Sequence, residues 1–143
     1  MKRALIDTNV YIDFMNAGRA SDVVLGGELI RYMSTVVLME LHAGATTASA
    51  RKAIAHLSGA FERTNRLLPP STTAWARAGT LLRKLRQGGR EIRRSSLVHD
   101  LLIALTARDI GATVFTSDES DFASIRKYLD FSFEVIRAAP RSR

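Results

Sequence analysis

Two spacings of apolar residues alternate along the chain. Short uninterrupted apolar runs are typical of buried strands, and apolar residues that recur every three or four positions are typical of amphipathic helices. The predicted strands cover residues 4–6, 31–34, 67–68, 112–115 and 133–136. The predicted helices cover residues 10–15, 21–25, 35–43, 47–63, 72–86, 97–110 and 121–127. Strands that alternate with helices indicate an open α/β sheet, in which side chains just past the strand ends line the ligand crevice.

The helix predicted over residues 72–86 has one apolar side. That side consists of Trp75, Ala78, Leu82 and Leu85, which recur at three- and four-residue intervals. We therefore expect Trp75 to pack in the core. A base-stacking role for Trp75 is disfavoured, because no other aromatic residue lies near it in the sequence.

Length and composition are those of one globular domain. The chain has 143 residues, with a hydrophobic fraction of 46% and a charged fraction of 24%, and it is long enough to bury a core. It contains no cysteine, which excludes a disulfide framework and a cysteine-based zinc site. No apolar run approaches the roughly 20 residues needed to cross a bilayer. We expect a cytoplasmic protein without membrane association.

The net charge of +7, from 21 basic and 14 acidic residues, favours a polyanionic partner such as RNA or DNA. Arginine is the main basic residue and suits bidentate phosphate contacts. The basic residues are densest near Gly88-Gly89, and the four expected to hold an RNA backbone are Arg86, Arg90, Arg93 and Arg94. A solvated helix end, where cations complement the helix dipole, is the structural alternative.

Two predicted strands lead directly into acidic turns that are rich in hydroxyl groups. Asp7 follows the first strand, and Asp118 lies just past the fourth. If these strands are parallel neighbours, both carboxylates meet at one crevice. Residues 8–9 and 120–121 are expected to cap the helices that begin after these turns. A purely structural turn is the alternative for Asp7.

Two predicted helices carry a carboxylate among apolar residues, Glu40 in one and Asp100 in the other. The solvent side of the helix is the structural alternative for Glu40, and the helix dipole is the alternative for Asp100. Carboxylates brought close together repel, so one must take up a proton unless a cation lies between them. Hard oxygen ligands without cysteine or paired histidine suit Mg²⁺ or Mn²⁺. A divalent ion on a basic protein indicates phosphodiester hydrolysis.

Other catalytic patterns are missing from the sequence. The three histidines are far apart and lie on different predicted helices: His42, His56 and His99. His99 adjoins Asp100, but successive helical residues point in different directions. There is no nucleophile elbow, Walker loop or Rossmann glycine pattern. An aspartyl-phosphate enzyme would also place an Asp after a strand, but Asn9 stands where a haloacid-dehalogenase-like phosphatase has its second Asp.

Four segments resemble, in order, the successive motifs of PIN-domain nucleases. The segments are Leu5–Val10, Val37–Leu41, Asp100–Ala107 and Thr113–Phe122. Within that family the closest group is the VapC-type toxin of bacterial toxin–antitoxin pairs. The resemblance implies a PIN-like domain over residues 1–137, with a three-layer α/β/α fold and a five-stranded parallel sheet. Residues 138–143 would form a short tail.

The resemblance also implies the residues of the active site. The catalytic acidic quartet would be Asp7, Glu40, Asp100 and Asp118. One or two Mg²⁺ or Mn²⁺ ions would be held by Asp7, Asp100 and Asp118. The polar and acidic positions that support this site would be Asn9, Thr116 and Asp121.

The activity implied is that of a metal-dependent endoribonuclease, the toxin of a type II toxin–antitoxin system, which hydrolyses RNA with metal-activated water. The implied partners are RNA, a VapB-type antitoxin whose C-terminal segment occupies the cleft, and a second copy of the chain in a homodimer. The alternative is a PIN-like module with the same fold that binds nucleic acid or a protein but has no catalytic activity.

Overall fold

The computed structural model describes residues 1–89 and 95–137. Its strands are β1 Lys2–Ile6, β2 Leu29–Ser34, β3 Leu67–Leu68, β4 Thr113–Thr116 and β5 Ser132–Val135. They form one five-stranded sheet in the order β3-β2-β1-β4-β5, and every pairing is parallel. Strands β2 and β3 therefore lie on one side of β1, and β4 and β5, which come later in the chain, lie on the other side.

Helices connect the strands and cover both faces of the sheet, which gives the three-layer α/β/α architecture. The helices within the described residues are α1 Thr8–Ala17, α2 Ser21–Leu25, α3 Thr35–Gly44, α4 Ala48–Arg63, α5 Thr72–Gln87, α6 Ser95–Ile110 and α7 Glu119–Arg126. This confirms the predicted fold class. β1 and β4 were recognisable because residues 4–6 and 113–116 are fully buried, as expected of parallel strands covered on both sides.

Helix α6 is the most deeply buried helix next to the sheet. Every residue from Leu101 to Ala107 is buried, so this helix packs on all sides instead of along a single stripe. It contacts α5, α3, α7, β1 and β4. Asp100, one position before this buried stretch, is therefore held by a rigid element in a site from which most water is excluded.

Trp75 corrects one sequence expectation, because 56% of its surface is exposed. The buried residues of α5 are Ala74, Ala78, Leu81 and Leu85. The real buried stripe thus shares two members with the predicted one but is rotated away from Trp75. Small Ala74 takes the inward position at the start of α5, and the bulky indole lies outside the core.

The helix caps beside the two acidic turns also differ from the prediction. Asp7 is the N-cap of α1 and Asp118 is the N-cap of α7, so residues 8–9 and 120–121 lie inside the helices. Aspartate is a favoured N-cap, because its carboxylate accepts hydrogen bonds from the first free backbone N–H groups. The two candidate site residues therefore also start the helices that follow them.

Several predictions fall outside the described residues. Arg90, Arg93 and Arg94 lie there, as does the predicted tail over residues 138–143. Within the described ranges, no helix has the length and apolar character needed to cross a bilayer.

Candidate active site

The carboxyl ends of β1 and β4 lie side by side, as expected from the sequence. Ile6 pairs with Phe115 in the parallel register, and the Asp7 backbone N–H donates to the Phe115 carbonyl at 2.8 Å. Asp7 and the turn that holds Asp118 therefore leave the sheet at the same edge. In α/β proteins of this kind, ligands bind outside this edge of the strands.

Asp7 is 5% exposed, and both of its carboxylate oxygens accept hydrogen bonds. Oδ1 accepts from the Thr8 backbone N–H at 2.8 Å, and Oδ2 accepts from the Thr116 hydroxyl at 2.7 Å. Burial raises the pKa of Asp7 to about 6, against the two hydrogen bonds, which lower it. The charges of Glu40 and Asp118 raise that pKa further. Asp7 is thus fixed in orientation and is harder to ionise than an ordinary aspartate.

Asp100, Asp118 and Asp121 form an acidic triad. One carboxylate oxygen from each lies within 4.8 Å of the others, close enough for all three to contact one cation. Burial raises the pKa of Asp100 to about 9, followed by the charges of Asp7, Asp121, Asp118 and Glu40. Of these charges, that of Asp7 raises the pKa of Asp100 the most. Asp7 therefore interacts electrostatically with the triad, although it is not one of its three members. At neutral pH the metal-free site holds Asp100 as the neutral acid.

Thr116 ties the two strand ends together at this site. Its hydroxyl donates to Asp7, and its oxygen accepts from the Asp118 backbone N–H at 2.9 Å. Asn9 acts nearby, because its Oδ1 accepts from the Ser117 backbone N–H at 3.3 Å. Both polar positions named from the sequence therefore contact the turn that carries Asp118. The contacts fix the backbone from which the acidic side chains project.

Glu40 reaches the site from α3. Its Oε1 accepts from the Thr8 hydroxyl at 3.0 Å, and its Oε2 lies 3.5 Å from Nδ1 of His99. The Glu40 side chain is 27% exposed, so it is placed at the rim of the site and not on the open solvent side of α3. Thr8 and His99 were not recognised from the sequence as partners of Glu40. Their proximity to the acidic motifs in the sequence was the only available signal.

Arg86 lies in the last turn of α5 and is exposed. Among the four arginines predicted to hold RNA, it is the one within the described residues. The structure thus places one of them on an accessible surface.

The model of the PIN-domain family matches residues 4–128. This chain belongs to the PIN-domain family. The match spans the first and last of the four motifs and most of the chain, so the resemblance based on those motifs is confirmed. No curated protein sequence matches this PIN domain.

Solved structures of toxin–antitoxin complexes contain chains with the same fold. A chain of VapBC2 from Rickettsia felis, bound to a promoter DNA fragment, superposes with a TM-score of 0.69 at 23% identity, covering 94% of this PIN domain and 99% of that chain. A chain of VapBC-1 from Haemophilus influenzae gives 0.68 at 24% identity, over 93% and 97% of the two chains. A chain of VapBC-5 from Mycobacterium tuberculosis gives 0.61 at 26% identity, over 96% and 100%.

Proposed function

We propose that this PIN domain is a Mg²⁺- or Mn²⁺-dependent endoribonuclease and the toxin of a type II toxin–antitoxin system. The observation that carries the proposal is the acidic triad, Asp100, Asp118 and Asp121, beside Asp7 at the carboxyl edge of the sheet. A buried group of carboxylates is unfavourable by itself: burial first, and the neighbouring negative charges second, raise the pKa of Asp7 and of Asp100. Such a group is retained where it binds a cation or acts on a substrate.

The donor set fits Mg²⁺ or Mn²⁺. The ligands available are carboxylate oxygens, which are hard donors, and the chain has no cysteine that would favour a softer metal. The resemblance implied Asp7, Asp100 and Asp118 as the ligands. The proximity of the carboxylate oxygens favours Asp100, Asp118 and Asp121 instead, and these three would hold the ion with Asp7 as the adjacent carboxylate. A bound divalent ion lowers the pKa of an attacking water and neutralises charge on the phosphate.

The chain's own residues prepare this site before any ion or RNA arrives. Thr116 and the Thr8 backbone orient Asp7, so its carboxylate does not need to reorganise when the substrate binds. Asp118 is anchored because its Oδ1 accepts from the Asp121 backbone N–H at 3.4 Å. Glu40 faces the same site from α3 and adds negative charge beside Asp7 and Asp100.

RNA is the proposed substrate because the chain is basic overall, with a net charge of +7. Arg86, Arg90, Arg93 and Arg94 would contact its phosphates. Changing Arg93 and Arg94 together to Ala should weaken RNA binding and reduce the salt slope by about 1.4, because single strands lose about 0.7 per phosphate contact. Arg51→Ala combined with Lys52→Ala, two exposed cations on α4, is the control for the loss of two charges alone. An unchanged salt slope in the double variant would exclude these two arginines.

An antitoxin of the VapB type is the proposed partner, since the structural neighbours named above are toxin–antitoxin complexes. As the resemblance implies, the C-terminal segment of this antitoxin would occupy the cleft that holds the acidic site. The homodimer, the cytoplasmic location and the division into residues 1–137 and a tail stay predictions. Size-exclusion chromatography with light scattering tests the homodimer directly.

RNA cleavage by the purified chain tests the proposed activity. Cleavage should require Mg²⁺ or Mn²⁺, stop with EDTA, and be lost in Asp7→Asn and Asp100→Asn. Asp130→Asn, an exposed aspartate outside the site, should cleave like the parent chain. Metal-dependent RNA binding without cleavage would favour the non-cutting module. Equal cleavage by all four proteins would refute the site.

A further inference from the structure

Glu40 makes a contact that the family motifs do not describe. Glu40 is on α3 and His99 is on α6, and Nδ1 of His99 lies 3.5 Å from Oε2 of Glu40. The two side chains are 24% and 27% exposed, so both are largely shielded from water. The contact lies one residue from Asp100, on the helix that also supplies that member of the acidic triad.

The two oxygens of Glu40 face residues of two different helices. Oε1 accepts from Thr8, which follows Asp7 at the start of α1, and Oε2 faces His99 at the start of α6. From α3, Glu40 therefore contacts α1 at the residue after Asp7 and α6 at the residue before Asp100. Because a glutamate has three rotatable side-chain bonds, a single partner would leave its second oxygen free to swing.

The placement of Glu40 affects the other acids through its charge. That charge raises the pKa of both Asp7 and Asp100, so it is close enough to act on both. A shift of the Glu40 carboxylate changes the field at the triad without removing any ligand. Partners that orient a metal-site carboxylate change affinity in this way.

We propose that His99 is a positioning residue of this site: its Nδ1 fixes Oε2 of Glu40, and the Glu40 carboxylate thereby stays turned toward Asp7 and Asp100. The inference rests on the proposed function, because it assigns His99 a role in the same acidic site. With a proton on Nδ1, the imidazole directs a donor at Glu40 whether or not the ring is charged. The role therefore depends on geometry and not on a change in the charge of His99.

Two amide substitutions separate this role from a general polar contact. The amide nitrogen of Asn is as many bonds from Cα as Nδ1 of His99, whereas that of Gln matches Nε2. His99→Asn should preserve the contact with Glu40, and His99→Gln should lose it. His99→Ala loses it as well. His42→Ala, an exposed histidine on α3, is the matched control.

The first readout is Mn²⁺ affinity of the metal-free chain, measured by isothermal titration calorimetry without RNA. His99→Ala and His99→Gln should each weaken binding about tenfold, the lower end of the effect of removing an orienting partner. His99→Asn should recover most of the loss, and His42→Ala should bind like the parent chain. Thermal melting in EDTA confirms that each variant is folded. Equal affinity in all variants would overturn the proposal.

A double-mutant cycle tests whether His99 acts through Glu40. In a Glu40→Gln background, His99→Ala should change Mn²⁺ affinity by less than about twofold, because the partner is already altered. The same tenfold loss in both backgrounds would show that His99 acts by another route and would refute the positioning role.

Cleavage kinetics provide the second readout and separate this proposal from the nuclease assignment. At saturating Mn²⁺, His99→Ala should lower kcat while KM for RNA stays the same, since the contact lies at the acids and not at an RNA-binding surface. If the parent chain binds Mn²⁺ but does not cut RNA, the nuclease assignment fails and the calorimetry still decides the role of His99. If the parent chain does not bind Mn²⁺, both proposals fail.

Discussion

Replacing Asp100 with Asn should stabilise the metal-free protein while abolishing its proposed activity. Asp100 is 7% exposed and lies among four other carboxylates that raise its pKa. Asn keeps the shape of the side chain but removes the ionisable group. The folded chain then no longer has to keep a carboxyl group protonated at neutral pH.

The size of this effect follows from the pKa of Asp100 in the folded and unfolded states. This pKa is about 9 in the folded chain, against 3.8 for an unperturbed aspartate. Between these values the unfolded carboxyl has lost its proton and the folded one retains it, so stability falls as the pH rises from about 4 to about 9. Each pH unit in this range is worth about 1.4 kcal/mol. Asp100 therefore lowers the free energy of unfolding by about 4 kcal/mol at pH 7 and about 2 kcal/mol at pH 5.

Urea denaturation of both proteins in EDTA at pH 5 and pH 7 measures this difference. The advantage of Asp100→Asn should be between two and three times as large at pH 7 as at pH 5. Adding Mn²⁺ should narrow the gap, because metal at 100 times its Kd stabilises the parent chain by about 2.7 kcal/mol. The variant, which lacks one ligand, should gain less from the metal.

Asp130→Asn is the control, because it removes an exposed aspartate without touching the site. Its free energy of unfolding should stay within about 0.5 kcal/mol of the parent value. If Asp100→Asn and the parent chain are equally stable in EDTA at both pH values, the Asp100 carboxyl is not held neutral. Burial and the neighbouring carboxylates would then not control the protonation of Asp100.

Two other predictions concern the site and the backbone around it. The hydroxyl of Thr116 donates a hydrogen bond to Asp7, and this bond lowers the pKa of Asp7. Thr116→Val removes the bond, so the pKa of Asp7 should rise above about 6 by roughly one pH unit. A carbon-13 NMR titration of the carboxyl groups would detect the rise, and an unchanged value would show that the bond does not act on Asp7. Gly18→Ala and Gly79→Ala both place a methyl group in open space, but Gly18 has φ +66° and Gly79 lies inside α5. Urea denaturation should show about 1 kcal/mol of destabilisation for Gly18→Ala and a similar stabilisation for Gly79→Ala, and changes of the same sign would contradict this.

The sequence predicted the central strands better than the edges of the elements. Residues 4–6 and 114–115 are apolar because both faces of a parallel strand are covered, and this leaves a direct trace in the sequence. Lys2 and Arg3 also belong to β1, but their side chains are exposed and only the backbone pairing with β2 reveals it. A pattern of side chains does not record such backbone pairing.

Trp75 shows why the buried side of a helix was misjudged. The predicted and observed stripes of α5 share Ala78 and Leu85 and differ by one position elsewhere. One position is about 100° around a helix, so both stripes are compatible with the same spacing. Packing against the neighbouring helices, α6 above all, decides between them, and a sequence taken alone carries no information about those surfaces.

The sequence predicted that acidic side chains would meet at this edge of the sheet, but it did not predict the contacts they make. Topology brings together acids that follow neighbouring parallel strands, so Asp7 and Asp118 could be paired from their positions alone. The contact between Glu40 and His99 depends on how α3 and α6 cross, and no periodicity encodes that angle. The sequence therefore identified the acidic residues but not Thr8 and His99, which contact Glu40.

The pairing of β1 with β4 has a consequence for the order in which the protein is made. The hydrogen bond between Thr116 and Asp7 joins residues 109 positions apart, and Asp118 and Asp121 come later still. Contacts this distant in sequence form late, because the intervening chain must first be ordered. A chain growing from its N-terminus carries Asp7 and Glu40 through most of its synthesis without the strand that completes their site. With the proposed ribonuclease activity, this order would leave the translated message intact until synthesis is nearly complete.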